Sequence, residues 1–370
     1  MPSGFTGGQY SLWRAGTGIV VAALFLRAAL AGASGPAWVA VHAAGVVAAL
    51  CFLAGYRDRI AAGVAALALL ATATLVGDAT PYLPASLALP FIAHPFLPPA
   101  PFGSLDARGR LDPSGGWRFP ARTRGILLGA TTALFALAGG SVLLGAAGRE
   151  TEAILPLAGT EWRLPAAIVA LLIPLLAAAR RVRGLAIGGW LAGLALLAAG
   201  LPSAVVLGPL ALWLLLFDLA WIPPARASRP DLVFYDGDCG FCQRSIRVLL
   251  AEDRSGESFR LAPRASAAFV AALPPETRAA LPPSIVVVDA TGAVHVRSRA
   301  TIRLLARLGG IWRVLGAALA IVPPPLRDLG YRGIAAVRHR LAPAPERACP
   351  ILPPELRARF LPGAEEEVPA

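Results

Sequence analysis

From Leu12 to Ile222 the chain is a succession of apolar runs separated by short loops. Few folds suit such a stretch. Backbone N–H and C=O groups in hydrocarbon find partners only inside a helix or a closed barrel, and a helix needs about 20 apolar residues to cross. The candidate spans are 12–33, 38–55, 60–77, 84–100, 125–147, 164–179, 184–200 and 204–222. The fourth carries Pro84, Pro90 and Pro95, so it is expected to be kinked or re-entrant, because proline removes a backbone donor. Residues 1–222 are therefore expected to form a multi-span α-helical membrane bundle of about eight helices.

Arginine sets the expected orientation. Arg57, Arg59, Arg108, Arg110, Arg118, Arg122, Arg124, Arg180, Arg181, Arg183, Arg226 and Arg229 fall in loops on one side. The opposite loops hold only Arg149 and Arg163, with Glu150, Glu152 and Glu161. The positive-inside rule then makes both termini cytoplasmic, as in a multi-pass protein of a bacterial inner membrane. The first run reads as a first span rather than a cleaved leader. Charged residues are 15% of the chain, against about 25% in soluble proteins, and mean hydropathy is +0.63. All 34 basic residues are arginine, and the net charge is +12. Because many of these arginines lie between apolar runs, nucleic acid is not an expected partner.

Arg27 interrupts the first run. A charge at the bilayer centre costs about 2.5–3.5 kcal/mol, so it should snorkel, pair internally or meet an anionic or quinone-like ligand. Arg14 is expected to anchor the span's cytoplasmic end. His42 and His94 read either as proton carriers or as hydrogen-bonded packing residues, and Cys51 as a small apolar filler.

Beyond Ile222 the pattern changes. Residues 223–230, with Pro223, Pro224 and Pro230, form an expected linker. Residues 231–361 read as a soluble α/β domain, and 362–370 as an acidic, disordered tail. Leu232 to Tyr235 is a β run, and a helix follows from about Cys239 to Glu252, with Cys242, Ile246, Leu249 and Leu250 on one face. Phe259–Ala262 is a second strand, Ala265–Leu273 a second helix, and Ser284–Asp289 an apolar strand. Ala290-Thr291-Gly292 turns that strand into Val294–Val296. Ala300–Leu308 and arginine-rich helices to about Leu341 complete the domain. Strand, Cys-x-x-Cys helix, strand, helix, hairpin, helix is the order of a thioredoxin-like fold. Pro283 sits where that fold keeps a cis-proline.

The chemistry centres on Asp236-Gly237-Asp238-Cys239-Gly240-Phe241-Cys242. At a helix N-terminus the positive end of the dipole stabilises a thiolate. Cys239 is accordingly the expected exposed nucleophile, and Cys242 the thiol that resolves the mixed disulfide. Asp236 is expected to move a proton to or from Cys242, and Asp238 to cap the helix. Gly240, Phe241 and Pro283 are supporting positions. The competing reading of the cysteine pair is half a zinc site, completed by Cys349 with His295 or His339 if the tail folds back. With no second close pair of ligands, no metal is expected.

The motif resembles that of the DCC family of thiol-disulfide oxidoreductases, named for Asp-x-x-Cys-x-x-Cys. The likeness extends to Arg303–Gly309, Leu326–Arg332 and Cys349–Phe360. Leu12-Trp13-Arg14 and Phe217–Pro223 resemble fragments of the horizontally transferred transmembrane (HTTM) family, related to vitamin K-dependent carboxylases. That likeness implies architecture only, since a chain without lysine cannot supply a lysine base. The resemblance implies a membrane-anchored thiol-disulfide oxidoreductase whose cofactor is its own Cys239–Cys242 disulfide. A bound quinone would be an addition that no motif supports. Its expected partners are the lipid bilayer and a protein or small thiol or disulfide substrate. The alternative is a non-catalytic redox-sensing or docking domain that regulates a transporter-like bundle.

Overall fold

The computed structural model describes residues 5–30, 35–75, 82–124, 126–127, 219–341 and 353–362. Their contacts divide them into two compact units. One takes the described residues of Tyr10–Asp106 and Arg118–Asp218, the other those of Met1–Gln9, Ala107–Trp117 and Leu219–Ala370.

The first unit is helical. It contains most of α1 (Gly7–Leu30), then α2 (Pro36–Ala54), α3 (Asp58–Leu75) and α4 (Tyr82–Ala93). At 1.5 Å per residue α1 and α2 are about 36 and 29 Å long, close to the roughly 30 Å of a hydrocarbon core. These two are candidate membrane spans. The fourth expected span is instead a helix of 12 residues with Pro90 inside it, followed by a 3-10 turn at His94–Phe96. At about 18 Å it is too short to cross as a straight helix. The fifth to eighth expected spans lie outside the described residues, apart from their ends.

α2 stops at Gly55, whose φ of 66° suits glycine. Its N–H reaches back to Phe52 O at 3.1 Å, and Tyr56 N–H reaches Cys51 O at 3.0 Å. A Cβ on Gly55 would also collide with the Arg14 guanidinium. Arg14 is therefore buried rather than a surface anchor, with Nη1 3.9 Å from Asp58 Oδ2. His94 Nε2 lies 3.3 Å from the same oxygen, and its Nδ1 lies 2.5 Å from the Tyr10 hydroxyl. His42 is buried and hydrogen-bonded at both ring nitrogens, with Nδ1 2.8 Å from Trp38 O and Nε2 3.3 Å from Thr72 Oγ1. Arg27 lies exposed in the last turn of α1, where the helix dipole favours a cation. Cys51, on α2, is a free thiol.

The second unit is a small mixed sheet with helices. In chain order it runs β1 (Asp231–Tyr235), α5 (Gly240–Glu252), β2 (Phe259–Pro263), α6 (Ala267–Ala272), α7 (Pro275–Ala280), β3 (Val286–Val288), β4 (Val294–Val296), α8 (Arg297–Leu308), α9 (Gly310–Ile321), α10 (Pro324–Leu341) and α11 (Pro354–Arg357). The spatial order is β2-β1-β3-β4. β1 and β2 are parallel, with Val233 opposite Leu261, while β3 is antiparallel to both β1 and β4, with Val287 opposite Val233 and His295. α7 was not expected. Its start signals, Pro275 in the first turn and Glu276 behind it, are the ordinary ones.

Strand alternation sorts the core onto two faces. Val233, Leu261 and Val287 point to one side, packed with Ile246, Leu249 and Leu250 of α5 and Ala300 and Leu304 of α8. Phe234, Ala262, Val286 and Val288 point to the other, against Phe269 of α6. Each such buried side chain contributes about 1.5–3 kcal/mol. The start of β1 is fixed by Asp231, wholly buried, which accepts two hydrogen bonds from Arg303 at 2.7 and 2.9 Å. The segment expected as a linker is tied to the α8–α9 corner. Ala225 N–H donates to Ala306 O at 2.8 Å, Arg307 donates to Ala225 O at 2.6 Å, and Gly310 N–H donates to Ile222 O at 2.7 Å.

Candidate functional site

The site forms where β1 gives way to α5. Asp236 Oδ1 accepts from the Asp238 N–H at 3.2 Å, closing a turn of the kind aspartate side chains favour. Gln243 Nε2 donates to Gly237 O at 2.7 Å and pins that turn to the helix. Cys239, in extended conformation at φ −96° and ψ 111°, is the N-cap, and its Sγ accepts from the Cys242 N–H at 3.3 Å. Asp238 therefore lies one position outside the cap and is exposed. The capping expected of it is done by sulfur. Gly240 follows, buried in the first turn. Phe241 is half-buried, and its carbonyl accepts from Ser245 Oγ at 3.0 Å.

A carboxylate oxygen of Asp236 and the sulfurs of Cys239 and Cys242 all lie within 4.8 Å of one another. Both thiols are free. Their exposure reverses the expectation: Cys239 has 0% of its surface accessible, and Cys242 is half-buried. The reason is the cap, which turns the Cys239 side chain back over the first turn toward the Cys242 amide. Burial raises the Cys242 thiol, its hydrogen bond to Cys239 adds to this, and together they push it up to about 12; Arg338 pulls the other way.

Arg338 and Tyr331 come from α10, far along the chain. Arg338 Nη2 donates to Asp236 Oδ2 at 2.8 Å. The Tyr331 hydroxyl accepts from Ile285 N–H at 3.2 Å and is raised chiefly by burial, with Cys242 among the neighbouring charges that contribute. Sequence reasoning placed Arg338 on an arginine-rich helix, with anionic headgroups as its conceivable partners, and gave Tyr331 no role. The spacing Tyr331 to Arg338, two turns on one face of a helix, was the available signal.

Pro283 is exposed, and no peptide bond among the described residues is cis. His295 is engaged elsewhere: its Nε2 is 2.9 Å from Asp289 Oδ2, and that bond, followed by one from Thr291, holds the Asp289 carboxyl well below the usual range. Cys349 and the His339 side chain lie outside the described residues. Among the described residues, then, Asp236, Cys239 and Cys242 supply three donors. A structural zinc site takes four, and here the carboxylate already carries the Arg338 cation.

Comparison with known proteins bears on this same segment. Residues 233–343 match the family described as DCC1-like thiol-disulfide oxidoreductase. The chain is also 27% identical over 135 residues to the uncharacterized protein YuxK of Bacillus subtilis (strain 168), a stretch that is 35% of this chain and 93% of that protein. No solved structure matches the chain.

Proposed function

We propose that the chain is a membrane-anchored thiol-disulfide oxidoreductase acting through Cys239 and Cys242. The observation that carries the reading is the cysteine pair at the start of α5, with an aspartate within 4.8 Å of both sulfurs, inside the segment that matches the oxidoreductase family. The strand order β2-β1-β3-β4, with one parallel and two antiparallel pairings, supports a thioredoxin-like description of the domain. The two long apolar helices support membrane anchoring. An HTTM-like bundle with both termini cytoplasmic is the corresponding proposal for the helical half.

In the reductive direction, the Cys239 thiolate attacks a substrate disulfide, forming a mixed disulfide and releasing one substrate sulfur as a thiolate. Cys242 loses its proton, attacks Cys239 Sγ and expels the second substrate sulfur. The substrate gains two electrons and two protons, and the pair is left as a disulfide. Because the Cys242 thiol is held at about 12, the second step needs a base. Asp236 is the carboxylate within reach, and Arg338 favours the thiolate that forms. The complete burial of Cys239 favours a second reading, a redox-sensing or docking domain whose pair does not turn over.

The deciding experiment is a redox titration of the full chain with Cys51→Ser and Cys349→Ser, following the remaining pair by thiol trapping. A reversible two-electron couple between about −270 and −120 mV, the range of thiol-disulfide catalysts, is expected. A pair that never closes to a disulfide would overturn the proposal. Exchange activity that survives Cys239→Ser would do the same.

A further inference from the structure

α10 is amphipathic with its faces exchanged. On one side Asp328 accepts from Ser298 Oγ, Tyr331 accepts from Ile285 N–H and Arg338 pairs with Asp236. This polar face packs onto the domain. On the other side Leu326, Leu329, Ile334 and Val337 are 60, 58, 51 and 40% exposed. A surface helix of a soluble domain normally does the reverse. α9, which precedes it in the chain, also turns apolar side chains outward, Leu315 and Ile321, the latter 84% exposed, while its Gly316 packs tightly against Leu305 of α8. Large apolar side chains left outward in such number mark a site of contact.

The charges beside this face select the occupant. Between Gly310 and Leu341 the sequence holds five arginines and one acid, Asp328, and that acid is turned inward. Arg313, Arg332 and Arg340 are exposed. Outward apolar side chains flanked by arginine fit the boundary between acyl chains and anionic headgroups. The same chain carries two helices long and apolar enough to cross a bilayer, so such a surface is at hand.

We infer that the α9–α10 face seats on an anionic lipid bilayer. For its functional meaning the inference rests on the redox reading above. Tyr331 and Arg338 reach the cysteine site from the inner face of the helix whose outer face meets lipid. The exchange partner is thereby narrowed to thiols and disulfides presented at the membrane surface.

The test uses the full chain in vesicles of phosphatidylcholine and phosphatidylglycerol that contain a phospholipid with a photoactivatable acyl chain. After photolysis, digestion and mass spectrometry, acyl adducts are expected on peptides covering Leu315–Val337. In Leu326→Glu/Leu329→Glu/Ile334→Glu these adducts should fall to background, with adducts on α2 unchanged. In Arg313→Gln/Arg332→Gln/Arg340→Gln the labelling should lose its dependence on phosphatidylglycerol, a variant that leaves the apolar face intact. Absence of adducts on the wild-type peptides would overturn the inference. So would zero-length cross-links joining them to a second copy or to residues 125–218. Cys239→Ser/Cys242→Ser should label like the wild type, so a failure of the redox reading is seen separately, in the titration.

Discussion

At Cys242 burial and charge pull in opposite directions, and burial wins: the thiol stands at about 12 even with Arg338 beside it. Since the thiolate is the reactive form, Cys242 should react with iodoacetamide at pH 8 at least about tenfold more slowly than an ordinary thiol, the higher nucleophilicity of a high-pKa thiolate offsetting part of the loss. Arg338→Ala should slow it further. Rates measured peptide by peptide against pH would check both, and a faster reaction in the variant would mean that Arg338 covers the site rather than tunes it. The Arg338–Asp236 pair is partly exposed, so its loss should cost stability no more than about 1 kcal/mol. Asp231 is a different case. Arg303→Ala would leave a wholly buried carboxylate with only Arg307, 3.6 Å away, at a cost of about 3 kcal/mol. Protease resistance of residues 219–341 in urea would show it. None of these pairings could be read in the sequence. Asp236 and Arg338 are 102 positions apart, and periodicity assigns a residue to a face without naming its partner.

At the scale of elements, Glu252 joins three. It ends α5, where its charge opposes that helix's dipole, yet it is buried and accepts from Thr6 Oγ1, from Gly8 N–H at 2.8 Å in the first turn of α1, and from Trp312 Nε1 at 2.6 Å on α9. Burial raises its carboxyl, although the bonds from Thr6, Trp312 and Gly8 partly offset this. The folded state thus holds the proton to higher pH than the unfolded chain. Stability from this group is greatest below the unfolded value, about 4.3, and is lost as pH rises through the raised folded value. Melting followed from pH 4 to pH 8 should show that decline, and Glu252→Gln should flatten it. Strands and most helices of this unit were legible, because the short apolar run Leu232–Tyr235 and the spacing of Ile246, Leu249 and Leu250 are local signals. The exposure of Cys239 was not. Whether a first cysteine caps its helix or points to solvent depends on the backbone angles of the turn before it.

For the whole molecule, the first four of the eight expected spans fall among the described residues, as two candidate spanning helices, the 18-residue α3 and a fourth segment whose helix has only 12 residues; the others lie outside them apart from the start of the fifth and the end of the eighth. Apolar runs are visible in any sequence, but a run does not say where the helix inside it gives way to a 3-10 turn. The anchoring proposal predicts that the full chain stays with membranes through alkaline carbonate washing and is released by detergent. Recovery in the carbonate supernatant would contradict it.

The segment after α10 returns to the sheet: Leu261 N–H donates to Arg359 O and Leu361 N–H to Leu261 O, each at 2.9 Å, alongside β2. β2 would otherwise end the sheet with open hydrogen-bonding groups. Residues 353–362 act as a stopper on that border. A chain ending at Leu341 should therefore keep its cysteine turn but acquire a sticky rim and associate through it, seen as higher-mass species in detergent on light scattering.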